Sequence, residues 1–348
     1  MSRSSRAALC ALLTAATGCD GLGRAIVSEG DFRPGDPILC PLVRPKCEPL
    51  PPVAPASDAA PVDRDLRPCP FDDPTEPVLR ELELVSCELR GARFQNIREL
   101  VNVQLRNVRI ELAPGQALSV RESEWSQVAV VPAQGGEETQ GELLISHSRL
   151  WGTLIANARV RLVSASVEQS SIEARELDGD DVQFLSSEVS ATRATLAALE
   201  LRRSELRGGE AGFLIAAGTL TDSRVACQGR LQLYASGVDD CSLDGELEAQ
   251  SASFEDTVFG IEHPTRIVGF GLVLHNNLLC DQVEGLRSSG GSASCNDCEG
   301  PLRDGEAEGE TCVDPVKSTQ RENNACDALQ NMPVCAAFPE PRRPIGVP

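Results

Sequence analysis

Lys46 and Lys317 are the only lysines in a chain of 348 residues, and aromatic side chains make up 3% of it. Against 32 basic residues, nearly all arginine, stand 52 acidic ones, for a formal charge of −20. A chain so acidic lacks the basic face that a phosphate backbone requires, so nucleic acid is excluded as a partner. The aromatic shortage leaves Trp125, Trp151 and Tyr234 as the candidates for a sugar-stacking platform. Histidine is as scarce: His147, His263 and His275 lie far apart and make no metal set, and neither a metal nor a cofactor is expected. No apolar run reaches the roughly 20 residues of a membrane-spanning helix.

What is present begins with an address. Arg3 and Arg6 form a short basic segment, residues 7–18 are apolar and small, and Gly18 precedes Cys19. This is the pattern of a secretory leader over residues 1–18. The stretch Ala16-Thr17-Gly18-Cys19 resembles a bacterial lipobox, which implies that the leader is removed and that Cys19 carries lipid, making a membrane the first partner. Ordinary cleavage and release is the alternative. Without the two leader arginines the charge becomes −22.

Cysteine arithmetic agrees with export. Of fourteen cysteines, Cys10 falls in the leader and Cys19 on the lipid, leaving twelve, an even number as disulfides need. They cluster as Cys40, Cys47, Cys69 and Cys87; as Cys227 and Cys241; and as Cys280, Cys295, Cys298, Cys312, Cys326 and Cys335. All are disulfide candidates in an oxidising compartment. The Cys295-Asn-Asp-Cys298 spacing also suits a redox or zinc pair, but with no histidine near and four further cysteines around it, bridging is expected.

Residues 19–77 are rich in proline and without hydrophobic period, a semi-extended tether with local cysteine pairs. From residue 78 to 280 the chain repeats with a step of five, in Cys87–Asn96, Ser148–Leu162 and Ala165–Phe184. Five fits neither a helix nor a simple strand. A small residue two positions before an aliphatic, repeated at that step, resembles the pentapeptide-repeat proteins, which implies a right-handed parallel β-helix with those two side chains inward.

A longer template runs through the step: two aliphatics separated by one residue, then an anchor three on, then an aliphatic. It matches eleven times, with anchors Cys87, Arg106, Ser123, Ser148, Ala165, Ser187, Ser204, Gly218, Ser236, Ala252 and Asn277. The three-residue gap breaks strand alternation, so the chain turns a corner there. A 17-residue turn such as Ser187 to Ser204 divides into five, five and seven, which predicts three sides. Eleven turns at about 4.8 Å predict an all-β rod on the order of 50 Å, with Cys-rich residues 281–348 as a C-terminal cap and tail. Leu201 and Ile215 are expected inside, Glu200 outside.

Chemistry is harder to find. Carbohydrate-active β-helices need acids and a basic residue converging on one face. The outward positions beside the anchors include Glu88, Glu124, Arg149, Glu188 and Glu205, spread over many turns, with Glu124 and Arg149 adjacent. Glu176–Asp181 reads as an acidic corner in preference to a calcium loop. Acidity on a pentapeptide-like coil is similar to family members that mimic DNA, yet their cytosolic targets conflict with export. Two protrusions, Pro132–Gly141 and Gly260–Gly269, are where a protein or glycan partner would be sought. A non-catalytic, lipid-anchored rod is the leading expectation; an enzyme and an acidic mimic are the alternatives. A disulfide between Cys227 and Cys241, in consecutive turns, is expected if departures from the five-residue step draw the sulfurs together.

Overall fold

A computed structural model describes residues 66–70, 77–133, 141–208, 211–275, 277–280 and 283–294, with Lys46, 297–298 and 320–322 besides. Its strands form one parallel β-solenoid of about eleven turns. The leader, Cys19, Cys40, Cys47, Cys295, Cys312, Cys326 and Cys335 lie outside the described residues, as does most of the 19–77 tether. So does the side chain of Cys298.

Three faces are defined by stacked inward residues. The first carries Leu100, Val120, Ile145, Leu162, Gly179, Leu196, Ile215 and Leu233 in register. On the second, Leu105, Trp125, Leu150, Val167, Phe184, Leu201 and Leu220 stack. The third stacks Ile110, Val130, Ile155, Ile172, Val189, Leu206, Val225 and Leu243. These side chains are buried almost without exception, so the core is a continuous axial column that no single turn could form.

Two of the three corners are made in the same way. Each has a residue in the left-handed region followed by an inward side chain, and the two left-handed residues of a turn are five apart: Glu81 and Ser86, Asn102 and Asn107, His147 and Gly152, Asp181 and Ser186, Ala217 and Asp222, Ser251 and Asp256. Among the described residues, none of the nineteen non-glycine residues with positive φ is β-branched, as the crowding of Cβ in that region demands. The second face therefore has constant length, and every insertion falls between the third face and the first. That constancy is the physical source of the five-residue step.

The anchor assignments need correction accordingly. Ser123, Ser148, Ala165, Gly218, Ser236 and Ala252 sit at the first corner, whereas Cys87, Ser187, Ser204 and Asn277 sit at the second. Ala165 stacks beneath Val182 rather than Ser187, so the long 22-residue interval is a 17-residue turn plus one five-residue face. Arg106 is no anchor: it is exposed on the second face, 3.7 Å from Glu83. Val103 and Val108 fill its turn's two corners. In the first turn the five-residue step ends early, because Gly91–Gln95 is a short α-helix that turns Phe94 into the core, with Ile97 buried just beyond it. Leu201 and Ile215 are fully buried and Glu200 is exposed, as the alternation predicts.

Candidate functional site

A file of hydroxyls runs up the second corner. Thr153, Ser170, Ser187 and Ser204 each donate a backbone N–H to the hydroxyl one turn above, at 3.0–3.2 Å, ending on Ser223. Each serine hydroxyl in turn donates to the carbonyl two residues before it, from Ser170 to Glu168 at 2.7 Å through Ser223 to Thr221 at 2.7 Å. The ladder satisfies polar groups that the corner would otherwise bury unpaired. It is a structural device, since every hydroxyl is already used and buried.

Cys241 takes the next place in this ladder. Its thiol donates to the carbonyl of Asp239 at 3.2 Å and accepts the backbone N–H of Ser223. Burial pushes that thiol up to about 12. Cys227 lies on the third face above Gly208, also buried and raised by burial. Both are free thiols, so the expected Cys227–Cys241 disulfide is absent. The reason is where the irregularity falls. The register shifts between Ala226 and Arg230, and Gly245, at φ +119°, passes so close to the Cys227 carbonyl that a Cβ would collide with it. The slippage is thus absorbed beyond Cys227, while Cys241 stays fixed at the corner by its ladder bonds. A disulfide does join Cys69 to Cys87, tying the segment before the first turn to the solenoid, and Cys280 is disulfide-bonded.

The longest run of converging acidic and basic side chains lies on the third face of the turns from Glu205 to Glu262. Glu205, 3% exposed, accepts from Nε and Nη2 of Arg207, at 2.8 and 3.1 Å. Arg224, stacked above Glu205, reaches it at 3.4 Å and also pairs with Glu262. Above them Asp244, 2% exposed, accepts the backbone N–H groups of Ile261, Glu262 and His263 on one oxygen, at 2.7, 3.0 and 3.4 Å. The expected protrusion at Gly260–Gly269 is therefore only a five-residue strap. The strand Thr265–His275 resumes at once, and the strap is pinned flat by Asp244, by the Arg224–Glu262 pair and by Ile261 packing on Val258, Leu278 and Cys280. Thr265 completes the clasp, its hydroxyl accepting from Gly245 N–H and donating to the His263 carbonyl, each at 3.0 Å. The other expected protrusion, Pro132–Gly141, lies mostly outside the described residues.

The remaining sequence candidates do not join that cluster, though Glu88 repeats its pattern far down the stack. Glu88 is buried between Arg90 at 2.9 Å and Arg109 at 3.5 Å. Glu124 and Arg149 are in register on neighbouring strands, exposed. Glu188 lies directly beneath Glu205. Glu176 pairs with Arg159 at 3.0 Å. Trp125 is in the core and Tyr234 half-buried, leaving Trp151 exposed. Among the described residues no group of three or more His, Cys, Asp or Glu side chains is placed to hold a metal.

One acidic feature was not singled out from the sequence. Asp222, Asp240 and Asp256 occupy the second-corner left-handed position of three successive turns, with Asp239 and Glu255 stacked beside them. Burial first, and then the neighbouring carboxylates, hold Asp239 and Asp240 above the usual carboxylate range; Glu255 is raised by burial against a lowering influence of His275.

No family model, no curated protein and no solved structure matches this chain.

Proposed function

We propose that this is a non-catalytic, lipid-anchored protein of the cell envelope, a pentapeptide-like rod on a proline-rich tether that serves a structural, adhesive or partner-binding use. The anchor is Cys19 after removal of residues 1–18, and the compartment is the exported side of a membrane. The observation that carries the non-catalytic part is the state of the acids on the third face. Glu205 is saturated by Arg207 and Arg224, and Asp244 is turned toward the backbone of a strap that covers it. A glycoside-cleaving site needs a pair of carboxyl groups open to substrate, and these are spent on holding the fold.

The competing reading, a carbohydrate-active enzyme, draws on the same cluster, because acids beside arginines on one solenoid face are its requirement. The two separate in one experiment. The purified full-length protein is incubated with a panel of neutral and acidic polysaccharides, and new reducing ends and unsaturated products are followed. No turnover is expected; turnover abolished by Glu205→Gln would overturn the proposal. Fatty-acid labelling of wild type and not of Cys19→Ser is the expected mark of the anchor, and labelling of neither would replace it by ordinary secretion.

A further inference from the structure

Trp151 and Leu154, each 43% exposed, stand on either side of the second corner of one turn, and Gly152 makes the corner between them. One turn below and one turn above, the same left-handed corner position holds glutamine, Gln127 and Gln169. The three levels are locked together: Gln127 N–H donates to the Trp151 carbonyl and Gly152 N–H to that of Glu168, each at 3.0 Å. Only Gln127 comes within 4 Å of where a Cβ on Gly152 would lie. No corner side chain therefore stands between the indole and the two levels of glutamine.

Beside the indole the outward second face carries charge of both signs. Glu168 stacks directly above Trp151, Arg149 lies two residues before it, and Glu124 stacks beneath Arg149. Elsewhere on the solenoid such groups consume one another, as Glu176 does Arg159 and Glu83 does Arg106. Here no side-chain hydrogen bond or ion pair joins Gln127, Gln169, Arg149, Glu124 or Glu168 to any described residue.

An exposed indole offers a flat face of negative quadrupole, which attracts the weakly positive C–H bonds of a pyranose ring. Free amides, a guanidinium and carboxylates supply the donors and acceptors that its hydroxyl groups need. An apolar protein surface laid here would instead bury those groups unpaired. Charge decides the kind of sugar, because two carboxylates against one guanidinium, on a chain of formal charge −20, repel an anionic glycan and tolerate an uncharged one. We infer that Trp151, flanked by Gln127, Gln169 and Arg149, is a subsite for one neutral hexopyranose residue of a glycan. This rests on the partner-binding reading above and names the partner's class.

The two tryptophans of the chain suit the test, since Trp125 is buried and Trp151 is not. The full-length protein is applied to arrayed oligosaccharides of glucose, galactose, mannose and N-acetylglucosamine, with oligogalacturonate as the anionic comparison. Binding to at least one neutral glycan is expected, and at saturation that glycan should shield the exposed tryptophan from acrylamide quenching. Trp151→Ala should weaken the binding by about tenfold, as the loss of one ring stacked on an aromatic, with the melting temperature unmoved. Trp151→Tyr should restore most of it. No binding to any neutral glycan, a preference for oligogalacturonate, or a Trp151→Ala chain that binds as wild type overturns the inference. So does shielding of Trp151 that rises with protein concentration alone, which would assign the surface to a second copy. Cleavage of a bound glycan would instead overturn the non-catalytic reading and leave the subsite standing.

Discussion

The thiol of Cys241 donates to the carbonyl of Asp239 at 3.2 Å, repeating one turn higher the 2.7 Å bond from the Ser223 hydroxyl to Thr221. A cysteine thus stands where the corner calls for a hydroxyl. Cys241→Ser should be at least as stable as wild type, because oxygen makes the shorter and stronger bond; Cys241→Ala, which strands the buried Ser223 N–H while the Asp239 carbonyl keeps the N–H of Asp222, should lose about 1–3 kcal/mol. Urea unfolding of the three proteins decides it, and a Cys241→Ser chain less stable than Cys241→Ala would contradict the ladder.

Burial keeps both free thiols protonated at neutral pH, and the thiolate is the form that reacts. Folded protein from an oxidising compartment should leave Cys227 and Cys241 unmodified by iodoacetamide at pH 8, and denaturation should expose both. A peptide map in which the two are joined would restore the disulfide expected from the spacing.

The core register is tested by neighbours. Leu201→Asp places an unpaired charge among stacked aliphatics and should unfold the solenoid, whereas Glu200→Ser, on the outer surface, should change stability by no more than about 0.5 kcal/mol. Circular dichroism and thermal melts distinguish them; equal damage from the two would mean the assigned face is wrong.

Much of this was legible in the sequence because the second face never changes length. Ser170, Ser187 and Ser204 recur every 17 residues, and each is followed two residues on by an inward aliphatic. What escaped were contacts that no period encodes. Arg106 fits the anchor template by spacing alone, although its side chain faces solvent. Both the helix Gly91–Gln95 and the strand before it read as the same five-residue step. The strap was visible as an interruption, but its latch was not, since Asp244 and the Ile261–His263 backbone are brought together only by the stacking of turns.

That latch makes its own prediction. Asp244→Ala removes one acceptor shared by three N–H groups and should cost about 2–3 kcal/mol. Hydrogen exchange should quicken at residues 261–263 while amides in the turns around Val167 and Phe184 stay protected. Unchanged exchange in the strap would show that Asp244 is not what holds it.

The acidic corner sets a pH dependence. Asp239, Asp240 and Glu255 have folded-state values raised above their unfolded ones, so the folded state binds more protons, and their contribution to stability falls as pH rises through the carboxylate range. Asp240→Asn should therefore stabilise the protein at pH 7 relative to wild type, with the advantage shrinking toward pH 3–4. Melting temperatures of the pair across that range check it, and an advantage that grows on acidification would reverse the sign.

The stacking of turns itself is tested most directly by one distance. Glu124 and Thr219 stand in the same outward column of the second face, linked through Arg149, Ser166, Gln183 and Glu200. Five strand spacings separate them, about 24 Å. Spin labels at the two positions, read by pulsed dipolar spectroscopy on the full-length protein, should give a narrow distribution centred near that value. A distribution centred below about 15 Å or beyond about 35 Å would contradict the solenoid.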